Sequence, residues 1–332
     1  MKKLAILFIL FIVTLVPSVF AQDQFAVPAP SGSYSDKLVR LRSKFWRKPK
    51  KKDPASQLVY ARKLEDDGRD KKARKQYNAL VRKWHESPEA VKAQYSFAKI
   101  LEKEGKYKKA FDAYQYMAIF YAGRFNYVDL LTKQLSLADK VRAERHIRFL
   151  LLKGITSPGD AIPMYKKIVK NAPEWEHSDE ALFNIASIKE ELGEYSSAKD
   201  SYDQLLQNYP DSELADSAAF HTAYCSYLIS NKTPRDKVIC RDALSAQANY
   251  LNNYAESKDN VAETKKNMLE LKTRLAKMYY DTALFYDKAE HYKAALIAYN
   301  NLVKKFPDSI FTGDAIKRID YINEKLERKK DE

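Results

Sequence analysis

Cys225 and Cys240 are the only thiols in the chain and stand fifteen positions apart. In an oxidising compartment a disulfide at that spacing would stabilise by about 3 kcal/mol through the entropy removed from the unfolded chain. The alternative is a pair of buried reduced thiols, because an offset of one helical turn carries the α-carbons beyond bridging distance. The five histidines, His85, His146, His177, His221 and His291, are scattered. None has a second ligand-type residue at metal-binding spacing on its own helix face. Adjacent acids such as Glu190 and Glu191, or Asp66 and Asp67, fall where predicted helical hairpins end and read as solvated charge. There is no Walker loop, dinucleotide fingerprint, nucleophile elbow or HExxH, and eight glycines are few from which to build a phosphate-cradling loop. The expectation is a chain without catalytic centre, metal or cofactor.

The elements that would position any such group come in a repeating frame. The run DEALFNIASIKEELGEYSSAKDSYDQLLQNYPDS, 179 to 212, reads as two amphipathic helices joined by a tight turn. Ala186 is followed twelve positions later by Ala198, with Gly193 and Tyr195 between, then Tyr202 and Pro210. Alanine suits the point where two helix backbones approach, an aromatic fills the space beside it, glycine allows the reversal and proline ends the helix. Ala61, Gly68, Ala73 and Tyr77 repeat the frame, as do Ala98, Gly105, Tyr107, Ala110 and Tyr114. Ala161, Tyr165 and Pro173 repeat its second half, with His146 to Lys153 as a poorer first helix. Ala283, Tyr292, Ala295, Tyr299 and Pro307 form a late copy. Ala223, Ala243, Tyr250 and Tyr254 form a distorted one, with roughly eight extra residues assigned to its turn. This is the tetratricopeptide pattern. It predicts an all-α solenoid of about five to six helical hairpins with a C-terminal capping helix, stabilised by nearest-neighbour packing.

Taken in order, MKKLAILFILFIVTLVPSVFA at 1–21 has the layout of a cleavable secretory signal peptide, an uncleaved membrane anchor being the alternative. No cysteine stands at the cleavage site to take a lipid. Residues 22–55 read as a disordered basic linker rich in Pro, Ser and Gly at its start. Its arm, Lys37, Arg40, Arg42, Lys44, Arg47, Lys48, Lys50, Lys51 and Lys52, contains no acid and carries much of the formal net charge of +14. Such an arm, with Phe45 and Trp46, suits anionic lipid headgroups; a solvated tail is the plainer reading. Nucleic acid is a poor partner for an exported chain. N-terminal hairpins are expected over 56–121, an inserted helix over 122–144, and the remaining hairpins and cap over 145–328. A wide turn is expected at Ser230 to Val238, with Pro234 at the first position of the following helix.

In this repeat the groove-facing positions of the first helix lie three residues before and one after the small alanine. They select Arg62, Tyr95, Lys99, Phe183, Phe220, Tyr224, Tyr280 and Leu284, a mixture suited to an extended peptide with aromatic side chains and a carboxylate. Packing against the neighbouring hairpin is the competing use of each aromatic. The Lys and Asn arrangement of repeats that bind chaperone tails is absent.

The runs GEYSSAKDSYDQLLQNYPDSELADSAAFHTAYCSY and LAKMYYDTALFYDKAEHYKAALIAYNNLVKKFPDSIFTGDA carry a further likeness. With their G-x-Y-x-x-A repeat, YPxS terminator and late LA…FY…YxAA segment, residues Ser56 to Leu326 resemble the BamD family of outer-membrane assembly factors. The resemblance implies a non-catalytic periplasmic scaffold at the outer membrane. It would dock a BamA-like barrel subunit through its C-terminal half and receive unfolded outer-membrane proteins in its N-terminal groove, as a monomer outside its complex. A second reading is an envelope or division protein resembling CpoB, against which 22–55 shows no heptads. An enzyme using the repeats as a substrate platform is the least favoured.

Overall fold

The computed structural model describes residues 48–144 and 157–331. The signal sequence, Lys37, Arg40, Arg42, Lys44 and Arg47 of the arm, and the stretch His146 to Lys153 lie outside the described residues. Among those described there are thirteen α-helices and no strand. They are α1 Pro54–Asp66, α2 Asp70–Lys83, α3 Pro88–Lys103, α4 Tyr107–Phe120, α5 Tyr127–Ala143, α6 Ile162–Asn171, α7 Ser178–Glu191, α8 Tyr195–Asn208, α9 Ala215–Lys232, α10 Lys237–Asn253, α11 Lys258–Lys288, α12 Tyr292–Lys305 and α13 Thr312–Asp331. A 3-10 turn, Pro158–Ala161, leads into α6.

Each hairpin is punctuated by local chemistry. Asp53, Ser87, Asn126, Asp236 and Ser257 accept backbone N–H bonds at the starts of α1, α3, α5, α10 and α11, and prolines occupy the first position of α1 and α3. Gly68, Gly105 and Gly193 reverse the chain at φ of 70°, 68° and 76°, where a side chain is disfavoured. In the last hairpin Glu290 takes the same place at φ 59°.

Consecutive helices pack antiparallel along the chain, and α1 also touches α3 as α9 touches α11. That contact makes the first helices of the hairpins the inner row of a curved stack. Ala61, Ala98, Ala186 and Ala283 are fully buried at these crossings and Ala223 nearly so, as the twelve-residue frame requires.

Two expectations are corrected. The helix at 127–143 is the first helix of the third hairpin, not an insertion before it. Its Gln134 and Ala138 repeat the spacing of Gln57 with Ala61 and Gln94 with Ala98, Ala138 is fully buried, and Tyr165 of α6 donates to Asp139 at 2.6 Å. In sequence the connection between the two helices is longer, so the second alanine, Ala161, falls later than twelve positions after Ala138. The wide turn after Ser230 is the other: α9 runs on to Lys232 and α10 starts at Lys237, so the surplus residues lengthen both helices. Pro234 sits in the short link, and Asp236 caps α10. The sixth hairpin also begins early, because Ser257 caps an α11 of 31 residues whose Thr264, Asn267, Leu271 and Leu275 are buried.

A tyrosine from each second helix fills the hairpin, and most find an acid. Tyr77 donates to Glu65 at 2.6 Å, Tyr202 to Glu190 at 3.1 Å, Tyr250 to Asp216 at 3.1 Å and Tyr299 to Asp287 at 3.1 Å. Tyr114 is fully buried and its hydroxyl has no partner, because Glu102, in the matching register, is held by Lys140 at 2.6 Å. An unmet buried hydroxyl costs about 1–3 kcal/mol. Tyr114→Phe should therefore leave stability unchanged or raise it by about 1 kcal/mol, whereas Tyr165→Phe should lower it by about the same amount. Urea denaturation followed by circular dichroism measures both, and a large loss in the Tyr114 variant would show that its hydroxyl is satisfied.

Candidate functional site: an aromatic row on the inner face

The inner row brings some of the eight groove positions together and separates others. Phe183 of α7 stands edge-on to Tyr202 at 5.4 Å between ring centroids and to His221 at 6.0 Å. His221 stacks on Tyr202 at 5.2 Å and meets Phe220 edge-on at the same distance. Phe220 stacks with Tyr224 at 5.9 Å, and Tyr224 with Tyr227 at 6.3 Å. The result is a row of rings from α7, α8 and α9, its members half-buried except Tyr202 and Phe220, which are buried. Phe220 also meets Tyr250 edge-on, so it packs against α10 as well as flooring the row.

The other positions stand apart. Arg62, Tyr95 and Lys99 are exposed on α1 and α3, Tyr95 touching Tyr114 edge-on at 5.9 Å. Tyr280 stacks on Phe311 at 5.3 Å and meets Tyr299 at 6.0 Å, beside half-buried Leu284. Tyr95 and Tyr280 have packing work of their own; of the eight positions only those of the central row are continuous.

Glu190 lies at the foot of that row. Its carboxylate accepts from the Tyr202 hydroxyl, faces His221 Nδ1 at 2.9 Å and lies 3.7 Å from the Cys225 thiol. Burial, reinforced by the Glu190 charge, pushes both the Tyr202 phenol and the Cys225 thiol up, so both stay protonated. Cys225 is thus no activated nucleophile. Nor does it bridge to Cys240: both cysteines are free and buried, Cys225 against Glu190 of the preceding hairpin and Cys240 3.7 Å from the Leu271 carbonyl of the following helix. The disulfide expectation is corrected by this divergence, one thiol facing each neighbour.

His221 and Glu190 were not among the positions selected from sequence, although Glu190 shares a register with Glu65 and Asp287, four residues after the small alanine. Reassigning the third hairpin adds Leu135 and Asp139 at the groove register. It also places Arg142, which donates to Asn184 Oδ1 at 2.6 Å and Ser187 Oγ at 2.9 Å and pairs with Glu191 at 2.6 Å, so that α5 is tied to α7 across the inner face. Among the described residues no group of three or more His, Cys, Asp or Glu is arranged to hold a metal ion. Chemically the site offers stacking faces, one carboxylate and one imidazole, which suits binding rather than bond making.

One tetratricopeptide-repeat family model matches residues 180–212 and 277–309, and a second matches 61–124. Those segments are tetratricopeptide repeats. The matched segments fall on the first, second, fourth and sixth hairpins, the match to the sixth beginning well inside its long first helix. Among solved structures, a thermophilic tetratricopeptide-repeat protein of Thermus thermophilus is 16% identical, covering 65% of this chain and 100% of its own, with a TM-score of 0.28. A tetratricopeptide-repeat protein of Parabacteroides merdae is 14% identical over 80% of this chain and 97% of its own, with a TM-score of 0.28. The C-terminal part of a repeat-containing protein of Cytophaga hutchinsonii is 14% identical over 84% and 92%, with a TM-score of 0.31. No curated protein matches the sequence. Tetratricopeptide arrays are protein-binding scaffolds, and among the described residues no helix is long and apolar enough to cross a membrane.

Proposed function

We propose that this chain is a non-catalytic scaffold whose aromatic row binds an extended, aromatic-rich segment of a protein partner. The observation that carries this reading is the continuity of Phe183, His221, Phe220 and Tyr224, ring on ring, along one inner face. Stacked half-buried rings give area without loss of many rotamers, and a neighbouring acid and imidazole orient backbone or polar groups. Unfolded outer-membrane barrel strands alternate apolar and polar side chains and carry aromatic residues toward their ends, and so present such segments. With the resemblance over Ser56 to Leu326 and the signal-like first 21 residues, the specific proposal is a periplasmic factor of outer-membrane β-barrel assembly, working beside a BamA-like subunit.

The test is affinity capture on the tagged full-length chain from detergent-solubilised envelopes, read by mass spectrometry. Recovery of a BamA-like barrel subunit, reduced several-fold in a Phe183→Ala/Tyr224→Ala variant for barrel substrates but not for the subunit, is the expected result. Recovery of peptidoglycan-associated or division proteins alone would overturn the assembly role.

A further inference from the structure

The basic arm is not the only concentration of charge. The six second helices of the hairpins, α2, α4, α6, α8, α10 and α12, together hold seventeen Lys and Arg but only five Asp and Glu. The six first helices hold seventeen basic residues and sixteen acids. The folded array is therefore two-faced: near balance along the inner row, net positive along the outer, with the excess concentrated in α2, α6 and α12 and interrupted at α8.

The positive charge also keeps register. Two residues before the small alanine of the second helix stand Lys71, Lys108, Arg241 and Lys293; nine after it stand Arg82, Lys170 and Lys304. Eleven residues make three helical turns, so both positions share one helix face. All but half-buried Arg82 are exposed, and of those six exposed cations only Lys108 is held in an ion pair among the described residues, with Asp160. The register is densest where α10, α11 and α12 meet. There Lys305 donates to the Tyr279 hydroxyl at 2.9 Å and Lys237 lies over the same ring at 4.9 Å. With Arg241 nearby these cations pull the Tyr279 phenol down, Lys305 most of all. Among the neighbouring acids Asp236 caps α10 and Asp281 pairs with Lys277, while Asp242 is exposed on α10 beside Arg241.

The charge balance says what this face meets. Fourteen of seventeen cations are lysine in both rows, so what sets the outer row apart is its shortage of acids. A layer of lipid phosphates needs only point charges in its field. We infer that the outer row of second helices is a docking surface for an anionic phospholipid bilayer, on which the array lies with its aromatic inner face turned away. This does not depend on which segment the inner face binds, and it assigns membrane contact to the helices rather than to the arm.

The test uses protein purified after expression of the full-length chain, with vesicles of phosphatidylcholine alone or containing about one-third phosphatidylglycerol, a fraction that sets a strong negative surface potential. Three proteins are compared by co-sedimentation: the parent, an arm variant with its nine Lys and Arg replaced by Gln, and an outer-row variant carrying Lys71→Glu, Lys170→Glu, Arg241→Glu, Lys293→Glu and Lys304→Glu. Circular dichroism confirms that the last keeps the parent's helix content. Expected are binding to anionic vesicles only, weakening as salt rises, retained in the arm variant and lowered at least ten-fold in the outer-row variant. Equal binding by parent and outer-row variant, loss in the arm variant alone, or binding to neutral vesicles with the same affinity would overturn the inference. So would an outer row that leaves anionic vesicles unbound and associates only with an acidic protein.

Discussion

Tyr202→Ala should lower stability by about 4 kcal/mol, the largest effect expected of any single substitution at the inner face. The side chain is fully buried between α7 and α9, with Phe183 against one part of the ring and His221 stacked on it, so little can collapse into the space it leaves. Removal of its hydroxyl also takes one donor from Glu190 and leaves that carboxylate with His221 as its remaining strong partner. In an array held by neighbour-to-neighbour packing the damage is local in origin. The hairpins on either side of α8 should uncouple, and hydrogen exchange should speed first in α7 to α9. A urea midpoint close to the parent's would mean that the aromatic row is not what joins the fourth and fifth hairpins.

Arg318→Ala should release the C-terminal helix and cost about 3 kcal/mol. Asp287, at the end of α11, is almost fully buried and is gripped by two guanidinium bonds at 2.8 Å and by the Tyr299 hydroxyl at 3.1 Å. Losing the cation strands a buried carboxylate; because the outer side of the guanidinium meets solvent, the cost belongs at the low end of the range for buried pairs. The bonds from Arg318, with help from Tyr299, hold the Asp287 carboxyl below its ordinary value of 3.8. A carboxyl depressed in the folded state contributes stability that is present above 3.8 and lost as pH falls through the lower, folded value. The parent should thus keep α13 docked at neutral pH and lose that contribution only in acid below about pH 4, while the variant lacks it throughout. Thermal unfolding of both proteins at several pH values measures the gap, and a gap that widens below pH 4 would contradict the assignment.

The frame of the fold could be read from spacing because alanine, glycine and tyrosine do steric work at fixed registers. Ala186 to Ala198 and Ala283 to Ala295 keep twelve residues, with Gly193 or its stand-in Glu290 at the reversal. Where a connection grows, the rule fails in two different ways. In the third hairpin the added chain separates Ala138 from Ala161, so the twelve-residue spacing does not mark its first helix, whereas the local pair Gln134 and Ala138 does. In the fifth the surplus disappears into helix, since nothing in SYLISNK stops α9 before the turn residues Thr233 and Pro234.

The groove was legible as a set of positions but not as a site. Register says that Phe183, Phe220 and Tyr224 point to one face; it does not say that His221 bridges the first to the others, because that depends on side-chain direction and on the crossing of α7 with α9. The cysteines failed for the same reason, fifteen residues apart in sequence yet facing opposite neighbours. The charge of the outer row depends on which helices form that row, and packing, not composition, decides it.

The central claim is that the inner aromatic row is where a protein partner sits. The most direct measurement places a photoreactive phenylalanine analogue at position 183 or 224, and as a control at position 71 on the outer row, and irradiates intact cells. The account predicts protein adducts from 183 and 224, lost when the remaining rings of the row are changed to alanine, and none from 71. Protein adducts from position 71 with none from the inner positions would contradict it.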